Sequence, residues 1–150
     1  MRQSIKTIEW KFREVPPSFL GSTTVITQIQ SPADVFNAFK ALFINQVRER
    51  FIVGWLSSSN HVIGYEIITE GILNSSLVHP REIFRGSIVA TCASILIMHN
   101  HPSGNLEPSR EDISITKQIV EAGKIIGIPV HDHIIFTNNT YTSFIEKGLI

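Results

Sequence analysis

Two histidines, His99 and His101, sit two residues apart at the end of an apolar run, Ser94-Ile95-Leu96-Ile97-Met98. Such a run reads as a fully buried strand, and strand alternation puts side chains i and i+2 on one face. Both imidazoles can therefore reach one point about 2 Å from each ring nitrogen. Pro102 and Gly104 force a turn, and ten residues after His101 the chain supplies Asp112 as a third donor. Two imidazoles and one carboxylate leave a fourth tetrahedral position for water, the arrangement that separates a catalytic zinc site from a structural one. Each residue also has a plainer reading: a hydrogen-bonded histidine pair at a strand end, and an aspartate that only caps a helix. The joint spacing H-x-H-P-x6-S-x2-D tips the balance, because it asks for two ligands on one strand face, a turn, a hydroxyl and a third ligand in fixed order.

The elements that must position these residues are signalled locally. Ser31, Pro32 and Asp34 have the N-cap, N1 and N3 pattern of a first helix. Val35, Phe36, Phe39, Leu42 and Phe43 share its face, and the periodicity predicts a helix to about Arg50. Phe51–Leu56 and Val62–Ile68 read as an antiparallel hairpin joined by the polar turn Ser57–His61. A second helix starts near Pro80, flanked or capped by His79 and running through Ile83, Ile88 and Val89, with Cys92 placed inside it as a small buried hydrophobe. Ser109 and Asp112 have N-cap and N3 spacing for a third helix over about 110–126, which Gly127 and Pro129 close. Val130–Phe136 is a last strand, turned back at Asn138-Asn139. Near the amino terminus Ile8, Trp10 and Phe12 alternate with polar residues, which predicts an early edge strand, and Pro16-Pro17 and Gly21 then punctuate a loop. Trp10 and Trp55 both read as core residues of strands. The class is a mixed α/β layer structure, with residues 1–30 as a strand-and-loop appendage to a domain over 31–150.

Composition narrows the function classes. The 150 residues carry 13 Lys+Arg against 13 Asp+Glu, with one cysteine. That balance argues against a general nucleic-acid coat or a polybasic membrane binder. A single cysteine excludes an internal disulfide framework and a cysteine-rich zinc module, and suits a reducing cytosol. No apolar run approaches the roughly 18 residues that span a bilayer, and MRQSIKTIEWKF lacks the apolar stretch of a secretory signal. The expectation is a cytoplasmic protein.

His99, His101, Pro102, Ser109 and Asp112 match the zinc-binding signature of the JAB/MPN-plus (JAMM) metalloenzymes. The longer words VHPREIF (78–84), HNHPSG (99–104), EPSREDI (107–113) and DHIIF (132–136) resemble the RadC-like branch, over roughly residues 31–150. The resemblance implies a three-layer, cytidine-deaminase-like mixed sheet, one Zn2+ held by His99, His101 and Asp112, and hydrolysis of peptide or isopeptide bonds, with a peptide or isopeptide-linked protein as substrate. It implies that Ser109 donates a hydrogen bond to the developing oxyanion, against its rival reading as a helix N-cap. The branch's DNA-repair label is an inherited name. The family also needs a glutamate to take a proton from water, and its E-x-F pattern aligns with Glu49-Arg50-Phe51. Glu49 stands out independently: at the carboxyl end of the expected first helix, the macrodipole disfavours a carboxylate by about 0.3–1 kcal/mol. The plainer reading is that Arg48 and Arg50 offset its charge. Glu70 is a second candidate base and fits the pattern less well.

Other residues invite readings of their own. His131 and His133 share a strand face, so His131-Asp132-His133 suggests a second metal site, or packing and hydrogen bonding near the first. Asn100 points opposite to its two neighbours and reads as a turn-stabilising residue, and His61 as a turn residue. The letters H-N-H do not make an HNH nuclease, whose residues are dispersed over a ββα unit. There is no H-E-x-x-H, no deaminase H-x-E with P-C-x-x-C, and no glycine-rich phosphate loop. The competing function is a non-enzymatic accessory module of DNA repair or mobile elements that binds a protein or DNA partner. The neutral charge weakens direct DNA binding, as does the lack of the helix-hairpin-helix region that longer RadC-like proteins carry. A pseudoenzyme reading suffers because every expected ligand and the base are present. A nuclease would call for a second metal and a basic groove.

Overall fold

The computed structural model describes residue 4 and residues 6–15, 28–71 and 78–150. Among them are three helices, α1 (Pro32–Phe39), α2 (Pro80–Val89) and α3 (Arg110–Ile126). Five strands, β1 (Glu49–Leu56), β2 (Val62–Gly71), β3 (Ser94–Asn100), β4 (Val130–Phe136) and β5 (Tyr141–Ser143), form one sheet in the order β2-β1-β3-β4-β5. β3 runs antiparallel to β1 and parallel to β4, with α3 in the crossover between β3 and β4.

Strand periodicity divides the core in two. Ile52 and Leu56 of β1, Leu96 and Met98 of β3, and Ile134 and Phe136 of β4 pack with Val35, Ala38 and Phe39 of α1. The alternate residues Phe51, Val53, Trp55, Ile95 and Ile97 pack with Ile83 and Phe84 of α2 and with Ile115 and Ile119 of α3. The sheet thus lies between two helical layers, as the resemblance implies. Being covered on both faces, β3 is buried along its whole length, which is why it reads as a near-continuous apolar run.

Caps fix where the helices begin and end. The Ser31 N–H donates to the Asp34 carboxylate at 2.8 Å while Asp34 N–H donates to Ser31 Oγ, closing the expected capping box of α1. His79 Nδ1 accepts from Arg81 N–H at 3.1 Å and caps α2. Gly127, with φ at 80°, ends α3 in the left-handed region that favours glycine.

Three local expectations are corrected. The first helix ends at Phe39, a 3-10 turn covers Lys40–Leu42, and Asn45 takes a positive φ of 58°, so the helix does not reach Arg50. Leu42 and Phe43 are still buried, because the tighter turn and the stacking of Phe43 on Phe136 bring them to the same core that a longer helix would have reached. Cys92 is buried but follows α2, its thiol donating to the Ser87 carbonyl at 3.4 Å. Residues 6–15 form no strand; Ile8, Trp10 and Phe12 stay exposed, and Phe12 meets Trp55 edge-on instead of pairing with the sheet. Pro16-Pro17 and Gly21 lie outside the described residues. The short β5 is an addition, held by Asp132, whose buried carboxylate accepts from Ser143 Oγ at 2.6 Å and Ile145 N–H at 3.1 Å.

Gly123 shows how tightly α3 packs against α2 and against the turn that follows it. A Cβ there would lie 2.6 Å from the Ile128 carbonyl oxygen and 3.2 Å from the Phe84 ring. Alanine would gain up to about 1 kcal/mol of helix propensity, but the backbone clash costs about 1–3 kcal/mol. Gly123→Ala should therefore be net destabilising, read as a lower midpoint in urea unfolding with an unchanged slope.

Candidate metal centre

His99 is the penultimate residue of β3 and is fully buried. His101 lies one residue beyond the strand, but its backbone N–H donates to the Phe136 carbonyl at 2.9 Å and carries the extended conformation onward. That bond keeps both imidazoles on the α2/α3 face, as alternation requires. The chain then turns, with Gly104 N–H on the His101 carbonyl at 3.0 Å, and re-enters at the amino end of α3. There Ser109 N–H donates to Asp112 Oδ2 at 2.8 Å and Asp112 N–H to Ser109 Oγ at 3.0 Å. The capping box and the metal reading of Asp112 are both realised, since the cap fixes the carboxylate in place.

The three donor atoms converge. His99 Nε2 and His101 Nε2 are 3.0 Å apart, and each lies 3.4 Å from a different oxygen of Asp112. Bonds of about 2.0–2.1 Å to a tetrahedral ion would set neighbouring donor atoms about 3.3 Å apart. Among the described residues, His99, His101 and Asp112 are thus a group able to bind a metal ion. The orientation of His101 supports this, because its Nδ1 lies 2.7 Å from the Asn105 carbonyl, which only accepts, so Nδ1 carries a hydrogen and Nε2 faces the group.

His99 and Asp112 are buried, and an open cleft of about 220 Å³ lies beside the group. Glu49, His101, Ser109 and Asp112 line it, with Val78 and Ile115 as an apolar wall. Glu49 is the first residue of β1, not the carboxyl end of a helix, so the macrodipole reason for singling it out does not hold. Its location has another cause. The Asn100 side chain accepts from Arg50 N–H at 2.7 Å and donates to the Arg48 carbonyl at 3.1 Å, holding the backbone on both sides of Glu49. Asn100 does point away from its histidine neighbours, but it grips β1 and not the turn. Glu70, the rival base, is bonded through Oε1 to Nε and Nη2 of Arg50 at 3.1 and 2.9 Å.

Among the described residues, His131-Asp132-His133 is not a group placed to hold a second metal ion. Asp132 faces the α1 side of the sheet and is occupied with β5, whereas His133 faces the first site, its Nε2 2.8 Å from His99 Nδ1. On its other side His133 Nδ1 lies 2.6 Å from Thr116 Oγ1. Thr116 was not among the expected residues; its spacing of four puts it on the helix face of Asp112 but does not by itself single it out.

The electrostatics follow from burial and proximity. Burial opposes ionisation of Asp112, but the neighbouring His101 and His99 rings and the Ser109 N–H outweigh it and hold the carboxyl far below its usual range. The hydrogen bond to Asp112 raises the His101 pKa above the ordinary 6.5, against burial and with help from the Asn105 carbonyl. Burial pushes His133 well below that value and keeps it neutral. A proton on His101 Nε2 and a metal ion compete for the same lone pair. Metal affinity should therefore fall as pH drops through the raised His101 pKa, by about tenfold per pH unit for one proton. Titration calorimetry in buffers of different ionisation enthalpy should count the proton released per ion bound below that value.

Comparison with known proteins places these residues in a family. The family model described as a RadC-like JAB domain matches residues 29–149. A UPF0758 protein of Desulforamulus reducens is 48% identical over 122 residues, covering 81% of this chain and 54% of that protein. One of Salinibacter ruber is 46% identical over 123 residues (82% and 53%), and one of Methanosarcina mazei 41% over 123 residues (82% and 54%). The chain spans about half the length of the curated relatives it matches. A mixed five-stranded sheet between helical layers is the architecture expected of a JAB/MPN fold. With the family model matching most of the sequence, this chain belongs to the RadC-like JAB domain family.

Proposed function

We propose that this protein is a zinc-dependent hydrolase of peptide or isopeptide bonds, with Glu49 as general base and Ser109 as oxyanion donor. The observation that carries the reading is the meeting of a carboxylate and a hydroxyl from two different elements at the open side of a His-His-Asp group, in one cleft. Two nitrogens and one carboxylate oxygen suit zinc, and they leave one tetrahedral position for water or substrate. A zinc ion held there supplies Lewis acidity, which polarises a carbonyl and makes water acidic near neutral pH.

The residues of the chain do the rest. Glu49 accepts a proton from the attacking water at the mouth of the cleft and returns it to the departing amine. The cap of α3 uses Ser109 Oγ as an acceptor, which leaves its hydroxyl hydrogen to donate to the substrate oxygen as charge builds there. The two readings of Ser109 are therefore compatible. Val78 and Ile115 provide the apolar wall against which a peptide backbone excludes water. Asp112 and His101 are held in place by the helix cap and by the Asn105 carbonyl, so little reorganisation accompanies reaction.

Elemental mass spectrometry of untagged protein should find about one zinc per chain, and none in His99→Ala/His101→Ala. Zinc-loaded protein should then release new amine ends from pooled short peptides or isopeptide-linked peptide pairs. Glu49→Gln should keep its zinc and lose about 10²–10⁴-fold of that rate. A Glu49→Gln rate equal to wild type would overturn the base assignment. Failure of the wild type to take up zinc would overturn the hydrolase and favour the non-enzymatic accessory module.

A further inference from the structure

A single chain of buried hydrogen bonds starts on one proposed ligand and ends on another. His99 Nδ1 lies 2.8 Å from His133 Nε2, and His133 Nδ1 lies 2.6 Å from Thr116 Oγ1. Thr116 Oγ1 in turn lies 2.5 Å from the backbone carbonyl of Asp112. His99, Thr116 and His133 are all fully buried, so no solvent competes for these bonds. The sheet register makes the first link: β4 runs parallel to β3 with His133 opposite Ile97, one same-face step before His99. The helix makes the last, with Thr116 one turn after Asp112.

With both rings neutral, the proton count along this chain has one solution. The Asp112 carbonyl only accepts, so the single hydroxyl hydrogen of Thr116 goes to it. Thr116 Oγ1 must then accept from His133 Nδ1–H. A neutral imidazole has one N–H, so His133 Nε2 carries a lone pair and must accept from His99 Nδ1–H. That assignment leaves a lone pair on His99 Nε2, the atom 3.4 Å from Asp112 Oδ1 and 3.0 Å from His101 Nε2. The opposite assignment would turn the Thr116 hydroxyl away from Asp112 and leave two oxygens 2.5 Å apart with no hydrogen between them.

We infer that His133 and Thr116 are positioning residues that lock His99 in its Nδ1–H tautomer, so that Nε2 is preset to receive a divalent cation of the zinc class. The inference rests on the proposal that His99 is a ligand, and it adds what aims that ligand. In the other tautomer, an Nε2–H would point into the group and a cation would first have to displace it. Asp112 acts twice, as a ligand through its carboxylate and as the anchor of the His99 tautomer through its carbonyl.

The test reads tautomers directly. Long-range ¹⁵N–¹H correlation spectra of metal-free and zinc-loaded protein should show His99 and His133 both protonated on Nδ1, with slowly exchanging hydrogens. Competition against a chromophoric chelator should show zinc affinity about 10–100-fold weaker in His133→Leu. His133→Gln, whose amide oxygen can accept where Nε2 did, should recover most of that loss. Thr116→Val, close to threonine in shape, should weaken zinc binding, and Thr116→Ser should not. A His99 Nε2–H tautomer in the metal-free protein would overturn the inference. So would wild-type zinc affinity in Thr116→Val, whatever the folding of the leucine variant. Were wild-type protein to take up no zinc, the hydrolase reading would fall, while the metal-free tautomers would still decide the relay separately.

Discussion

Two imidazole nitrogens and a carboxylate held within 3.0–3.4 Å of one another repel unless a cation or a proton lies among them. The low dielectric around buried His99 and Asp112 strengthens that repulsion. Left to itself the group would fly apart into separately solvated side chains, and most of the surrounding structure is what prevents this. β3 is clamped on both edges, by β1 antiparallel and β4 parallel, so His99 cannot withdraw. The Phe51 ring lies parallel to the His99 ring on one side, and Phe144 stacks on His133 on the other. Asp112 is pinned by the helix it caps. The repulsion among the gathered donors is thus borne by the sheet and the capped end of α3.

Strand periodicity also couples the centre to the groups around it. Along His99-Asn100-His101, odd positions face the proposed ligand set and the even one faces the opposite layer. Asn100 uses that opposite face to hold the backbone at Arg48 and Arg50. One three-residue stretch therefore sets the two histidines and the first residue of β1, Glu49, in register with each other. A one-residue slip of β3 against β1 would exchange the faces and dismantle both at once.

What could be read from the sequence was what depends on local spacing. The buried strand, the turn and the capped third helix follow from patterns a few residues long, and so does the grouping of His99, His101 and Asp112. What escaped depends on partners distant in the chain. Nothing near Glu49 announces that Asn100, some fifty residues away, would start β1 there. The helical reading up to Arg50 failed because the periodic apolar residues Leu42 and Phe43 are served equally well by a 3-10 turn. The alternation at Ile8, Trp10 and Phe12 suggested a strand, but alternation only offers an edge and cannot guarantee a neighbour to pair with it. Thr116 was invisible because a threonine in a helix has many uses, and only His133, brought in by β4, gives it this one.

The cap of α3 deserves a different kind of reading. Ser109 and Asp112 satisfy the first free N–H groups of a 17-residue helix that covers one face of the sheet. Their replacement weakens the fold by about 1 kcal/mol each before any chemistry is considered. For a lineage under mutation, drift at these two positions is therefore opposed by lower abundance in the cell, whatever the group beside them holds. His99 and His101 have no such second employment in a helix cap. A descendant in which the His-His-Asp group no longer mattered would lose its histidines first and keep its serine and aspartate longest, so a surviving S-x-x-D without H-x-H would be the fossil of this group.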